Sequence, residues 1–174
     1  YFACANSGNG FINYFDNILK DMKKVFIIKG GPGTGKSTLM KKLAQNYEKK
    51  GFDVDYIHCS SDPDSLDGII IKKICIAVVD GTAPHIIEPT VAGVVGEYIN
   101  IGSAWNIDLL EEEKDNIENL QLQISECYKN AYEALANAKN LHHKLEEYYI
   151  KATDYAIVDD IYEMMKERMD KYVS

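Results

Sequence analysis

Hydrophobic positions fall into two rhythms along the chain. Up to about residue 105 they come as short runs cut by glycine and proline. Val25-Phe26-Ile27-Ile28-Lys29 is apolar and ends in glycines, which predicts a buried strand. From Lys36 to Lys50, Leu39, Leu43 and Tyr47 recur at helical spacing, and Gly51 stands where a helix C-cap wants a residue at ease with positive φ. Residues 54–58 (VDYIH) predict a second strand. Residues 74–80 (ICIAVVD) predict a third, the most apolar. Strands alternating with a helix imply a parallel sheet with crossover connections. Ahead of the first strand, Phe11, Tyr14, Phe15, Ile18 and Leu19 make an amphipathic helical stripe suited to cover one sheet face. Tyr1–Ala5 and Val91–Ile99 are further strand candidates, the second interrupted by Gly93 and Gly96.

Past residue 105 the rhythm is helical. Positions 110, 117, 124, 131, 138 and 145 read Leu, Ile, Ile, Ala, Ala, Leu, and 120, 127, 134, 141 and 148 read Leu, Cys, Ala, Leu, Tyr. Apolar residues repeating this way with charges between them predict one long helix over about 108–148. Ile157, Ile161, Met164, Met165 and Met169 form a second stripe. A turn near 150–153 would fold it back as an antiparallel helical hairpin, with Ala131, Ala134, Ala136 and Ala138 allowing close approach. The pair is read either as two helices packed on each other or as an arm that contacts a protein partner. We therefore divide the chain into residues 1–105, a nucleotide-binding α/β unit, and residues 106–174, a helical hairpin or coiled-coil extension.

Composition sharpens that boundary. Every glycine and every proline lies before residue 106. The first part carries 11 Lys and 11 Asp plus Glu; the second carries 8 basic and 16 acidic residues and supplies the whole net charge of −8. An acidic half repels phosphates, so nucleic acid is not an expected partner. The longest nearly uncharged stretch, Ile74 to Val79, is far short of the ~18 residues of a membrane span. Cys4, Cys59, Cys75 and Cys127 are scattered without a CxxC pair, which fits reduced thiols in a cytoplasmic protein rather than a zinc site or disulfide framework. The first residue is Tyr, not Met, so the chain reads as a fragment.

The segment with the clearest chemistry is Gly30-Gly31-Pro32-Gly33-Thr34-Gly35-Lys36-Ser37-Thr38, which satisfies GxxxxGK[ST] between a strand and a helix. Glycines permit positive φ and bring backbone N–H groups against phosphate oxygens. The helix that opens near Lys36 points its unpaired N–H groups and dipole at the same anion. Lys36 would place a charge on the β- and γ-phosphates, Ser37 would offer its hydroxyl to Mg²⁺, and Thr38 would donate to the α-phosphate. Ile76-Ala77-Val78-Val79-Asp80, 44 residues after Lys36, is a Walker B pattern: a buried strand delivering a carboxylate to the magnesium shell. The expected ligands are ATP, by default over GTP, and Mg²⁺ held by Ser37 and Asp80.

Other groups divide between roles. In many ATPases a glutamate after the Walker B acid polarises the attacking water; here Gly81 follows. His85, with Glu88 nearby, is a candidate γ-phosphate sensor, or a turn histidine. The segment His58-Cys59-Ser60-Ser61-Asp62-Pro63-Asp64-Ser65-Leu66-Asp67-Gly68 follows the second strand, at the carboxyl edge where ligands of open parallel sheets bind. It would hold a second substrate or water, with Asp62 the preferred catalytic candidate, or simply form Asx turns. Arg168 is the single arginine. Kinases of small molecules and nucleotides clamp phosphates with several, so this scarcity favours slow hydrolysis over phosphotransfer.

On KGGPGTGKSTLMKK (29–42), YIHCSSDPDSLDG (56–68), AVVDGTAPHIIEP (77–89) and the opening FACAN with Gly10-Phe11, the chain resembles an uncharacterised family of bacterial P-loop ATPases that carry two P-loop halves in tandem. The resemblance spans the first half of such a protein. It implies a P-loop fold and ATP binding. A three-layer P-loop domain has about five parallel strands, and three are read clearly here. The sheet is therefore expected to be incomplete, its edge paired by the missing half or by a second copy. The expected function is Mg-dependent ATP hydrolysis coupled to the helical arm. A phosphotransferase and a non-catalytic nucleotide switch or scaffold are the alternatives.

Overall fold

The computed structural model describes residues 1–84, 87–88 and 95–173. In chain order they form β1 (Cys4–Ser7), β2 (Gly10–Asn13), α1 (Phe15–Leu19), β3 (Lys24–Lys29), α2 (Lys36–Glu48), β4 (Asp55–His58), β5 (Leu66–Ile71), β6 (Ile76–Asp80), β7 (Gly96–Asn100), α3 (Ile107–Glu112), α4 (Lys114–Ala152) and α5 (Tyr155–Asp170). β1 and β2 pair as a separate antiparallel ribbon, so Phe11 belongs to a strand rather than to the expected helical stripe. The other strands make one five-stranded sheet in the order β4-β5-β6-β3-β7.

That sheet is mixed, which corrects the all-parallel expectation. β3 runs parallel to both β6 and β7, whereas β5 is antiparallel to β4 and β6. The cause is connection length. Only the 3₁₀ turn Lys72–Ile74 and Cys75, at φ 55°, separate β5 from β6. Parallel neighbours need a crossover of a dozen or more residues, so strands this close can only form a hairpin. The sheet also has five strands rather than three. β5 begins in the last three residues of the polar segment 58–68, and β7 falls at the end of the Val91–Ile99 candidate, of which residues 91–94 lie outside the described residues. Of Tyr1–Ala5, Phe2 makes a single parallel bridge to His58 beside β4, and Cys4 and Ala5 belong to β1. Among the described residues no strand pairs with the outer edge of β7.

Alternation along the strands builds two cores. Ile27, Val79, Ala77, Ile70 and Ile57 point to one face, where Phe15, fully buried, and Ile18, Leu19 and Met22 cover them. Ile28, Val78, Ile69 and Leu66 point to the other, beneath Met40 and Ala44 of α2. Burial on both faces is why β6 reads as a continuous apolar run. The result brings the end of β3, the end of β6 and the start of β5 to one edge, with Ile28 opposite Asp80 and Gly68 opposite Val79.

The helical part is drawn out. α3 and α4 meet at Glu113 rather than forming one helix from 108. At 39 residues α4 is about 58 Å long. Its middle leans on the β1–β2 ribbon. A β-carbon on Gly8 would fall 2.6 Å from Ala136 Cα, so the alanine-rich stretch admits the ribbon, not a second helix. The expected hairpin packing is absent: every described residue of α5 is exposed, Ile157 and Ile161 included, and so are Leu141 and Leu145 of α4. The backbone bonds close within each helix, whereas the apolar stripes of α4 and α5 stay largely uncovered. No helix among the described residues is long and apolar enough to cross a membrane.

Candidate functional site

The loop between β3 and α2 wraps one wall of a cavity of about 530 Å³. Gly33 at φ 75° and Gly35 at φ 87° turn the chain where a side chain would be strained. α2 begins at Lys36 with Gly35 as its N-cap and no side-chain cap, so its first N–H groups remain for an anion. Thr34 Oγ1 donates to the Gly31 carbonyl (2.8 Å) and braces the bend. Gly30 and Gly31 are glycines for packing reasons: β-carbons there would meet Ile101 Cγ1 at 2.8 Å and the Trp105 ring at 3.0 Å. The indole of the chain's single Trp thus lies against the loop.

The Lys36 ammonium donates to the carbonyls of Gly30 (2.5 Å) and Gly31 (2.8 Å) and stands 3.5 Å from Asp80 Oδ2. A largely buried cation is thereby fixed at the cavity wall, facing bound polyanions. Asp80 Oδ1 accepts from the Thr82 N–H (2.8 Å), and Thr82 Oγ1 donates to Gly30 O (2.8 Å), locking the end of β6 to the start of the loop. Lys29 Nζ donates to Gly81 O (2.6 Å), a second tie between these ends. Ser37 Oγ accepts from the Leu66 N–H (3.0 Å), so the start of β5 is pinned to α2. Ser37 and Asp80 both line the cavity. One hydroxyl and one carboxylate are hard oxygen donors of the kind Mg²⁺ takes when phosphates and water complete its shell. The residues fit the expected ion.

The other wall is β5 and the loop before it: Cys59, Ser65, Leu66 and Asp67. Asp67 is only 3% exposed. The Cys59 thiol donates to it and has its pKa raised, first by burial and also by the nearby carboxylate. Cys4, behind this wall, is pushed up to about 12, again first by burial and then by Asp67.

Of the residues read as binding a nucleotide, Pro32, Gly33, Thr34, Gly35, Lys36, Ser37 and Thr38 line the cavity, and Gly30 and Gly31 sit behind it as the carbonyls that hold Lys36. Asp62 stands apart. It is exposed, outside the cavity lining, and its Oδ1 accepts from the Asp64 N–H (3.2 Å) in an Asx turn. His85 lies outside the described residues. Glu88 accepts from the Tyr98 hydroxyl (2.5 Å), away from the cavity lining. Sequence reasoning held Asp67 only as one member of the polar segment 58–68, preferring Asp62, and gave Thr82 no role. The signal for Asp67 was an acid one glycine away from an isoleucine run, a costly place for a charge.

Comparison with protein families finds a match to the model of Novel STAND NTPase 3, over residues 12–81. The matched part runs from β2 through the phosphate loop to the residue after Asp80. It is an NTPase-type domain. Searches of curated proteins and of solved structures gave no match.

Proposed function

We propose that the chain binds Mg-ATP in the cavity at the β3–α2 loop, hydrolyses it slowly, and passes the state of that site to α4. The observation that carries this reading is the Lys36 ammonium clamped beside Asp80 at the mouth of an uncapped helix, in a cavity sized for a nucleotide. In this reading the loop amides and Lys36 hold the phosphates, Thr38 adds a hydroxyl, and Ser37 and Asp80 hold the magnesium. The ion would neutralise charge building on the phosphates. Turnover is slow because the sole arginine, Arg168, is on exposed α5 and lends no cation to the transition state.

A polar relay supports the coupling. Ser60 and Ser61 directly follow Cys59, which lines the cavity. Asn6 Nδ2 donates to Ser61 Oγ (3.2 Å) and Ser60 Oγ (3.4 Å), Tyr132 of α4 donates to Asn6 Oδ1 (3.1 Å), and Tyr128 donates to Ser61 Oγ (3.0 Å). A shift of the wall on nucleotide binding reaches α4 through two hydrogen-bonded steps.

Trp105 gives the test, because it touches the loop. Titration with Mg-ATP should change its fluorescence saturably, and Lys36→Ala should weaken the apparent affinity by at least about 30-fold, the loss of a charge-assisted phosphate contact of ~2 kcal/mol. Equal affinity of the two proteins refutes the reading.

A further inference from the structure

We infer that Asp67 orients the water that attacks the γ-phosphate and takes up its proton. This rests on the nucleotide reading of the same cavity and names the group that reading leaves out. The position after Asp80, where a water-polarising acid is commonly carried, is not merely glycine but must be. A β-carbon on Gly81 would lie 2.3 Å from Ile27 Cγ2, in the core beneath β3. A side chain there would have to displace Ile27 in the core, so a water-polarising carboxylate would come from another position.

The reversed direction of β5 supplies one. A parallel strand would begin at the far end of the sheet. An antiparallel one begins where β6 ends, and the Gly68–Val79 pairing puts Asp67 opposite Asp80. Asp67 lines the cavity at 3% exposure, one residue beyond the Leu66 N–H that bonds Ser37. Its position relative to the phosphate loop is therefore fixed through the backbone. The Cys59 thiol donates to it; an ionised carboxylate has about four lone-pair sites, so it can still accept from a water. The other five residues of β5 are apolar or glycine, and all six are buried. An acid there carries a desolvation cost that a purely structural strand does not need.

The step balances without a further reactant. Asp67 accepts the hydrogen bond of the water. The water oxygen adds to the γ-phosphorus, and the bond from that phosphorus to the β–γ bridging oxygen breaks, its electron pair leaving with ADP. The water proton passes through Asp67 to the released phosphate.

The test compares wild type, Asp67→Asn and Asp67→Glu, reading Mg-ATP affinity from Trp105 and the chemical step from single-turnover hydrolysis. Asp67→Asn should bind within about 3-fold of wild type and hydrolyse at least about 100-fold more slowly, the usual worth of a positioned base; Asp67→Glu should recover part of the rate. An Asn variant at the wild-type rate overturns the inference. So does a variant that loses affinity and rate together, or a wild type that binds nucleotide without turnover. A wild type that binds no nucleotide overturns the underlying reading instead. Should Asp67→Asn not fold, Cys59→Ala replaces it: removing the thiol that aims the carboxylate should slow hydrolysis about 5-fold at unchanged affinity, and an unchanged rate overturns the inference.

Discussion

At the scale of single residues, the buried Cys4 thiol reports how dry the cavity's back wall is. Cys4 is 3% exposed and its thiol is held up to about 12 from an ordinary 9.0, chiefly by burial and next by the negative Asp67. The unfolded chain releases this proton near the ordinary value, so between about 9 and 12 the unfolded state binds fewer protons than the folded one. Stability must then fall as pH rises through that window, and the contribution is fully present below it. Urea midpoints should drop between pH 8 and pH 10.5. The drop should be smaller in Cys4→Ala; an equal slope in both proteins would assign the loss to other groups.

At the scale of elements, two devices set the site. The β5–β6 hairpin reverses one strand and brings the start of β5 to the edge where β6 and β3 end. The β1–β2 ribbon then seats α4, with Gly8 against the Ala136 backbone and Asn6 bonded to Tyr132. Gly8→Leu should push α4 off the ribbon, because the added β-carbon would sit 2.6 Å from a backbone atom that cannot yield. The expected cost is about 1–3 kcal/mol in urea unfolding. Hydrogen exchange should quicken in α4 around residues 128–136 and stay unchanged in β3 and β6. Protection equal to wild type would show that the ribbon does not hold the helix.

At the scale of the whole molecule, stability is concentrated in the first hundred residues. The two buried clusters draw their buried members from Ala3 to Ile87, whereas no described residue of α5 is buried. Removing residues 154–174 should therefore shift the thermal midpoint of the sheet domain by less than about 2 °C. A larger fall would mean that α5 packs on the domain in solution. In the same reasoning, the exposed Ile161, Tyr162, Met165 and Met169 lie on a helix face that the fold itself does not use.

Much of this was readable from residue order. The phosphate loop, its strand and its helix sit where the glycines and Val25–Lys29 put them, since those constraints are local: positive φ at Gly33 and Gly35, an apolar run of strand length, a helical stripe. The long helix was equally plain, because its repeat extends over many turns. Misjudged parts depended on contacts between distant segments. Ile69-Ile70-Ile71 is too short to declare a strand beside Asp67 and Gly68, and only pairing with β4 and β6 makes it one. The stripe in α5 promised a packed hairpin, but periodicity marks an apolar face without naming what covers it. Asp62 and Asp67 are both acids after the second strand; which one meets the phosphate cavity was decided by strand direction, a property of the assembled sheet.

The sequence by itself determined that a Gly-rich anion loop with Lys36 would stand between a strand and a helix, because backbone freedom and hydrophobic period act over a few residues. Tertiary structure alone decided that Asp67 rather than Asp62 lines the cavity and where α4 rests, because those placements come from hydrogen-bond register and close packing between segments far apart in the chain.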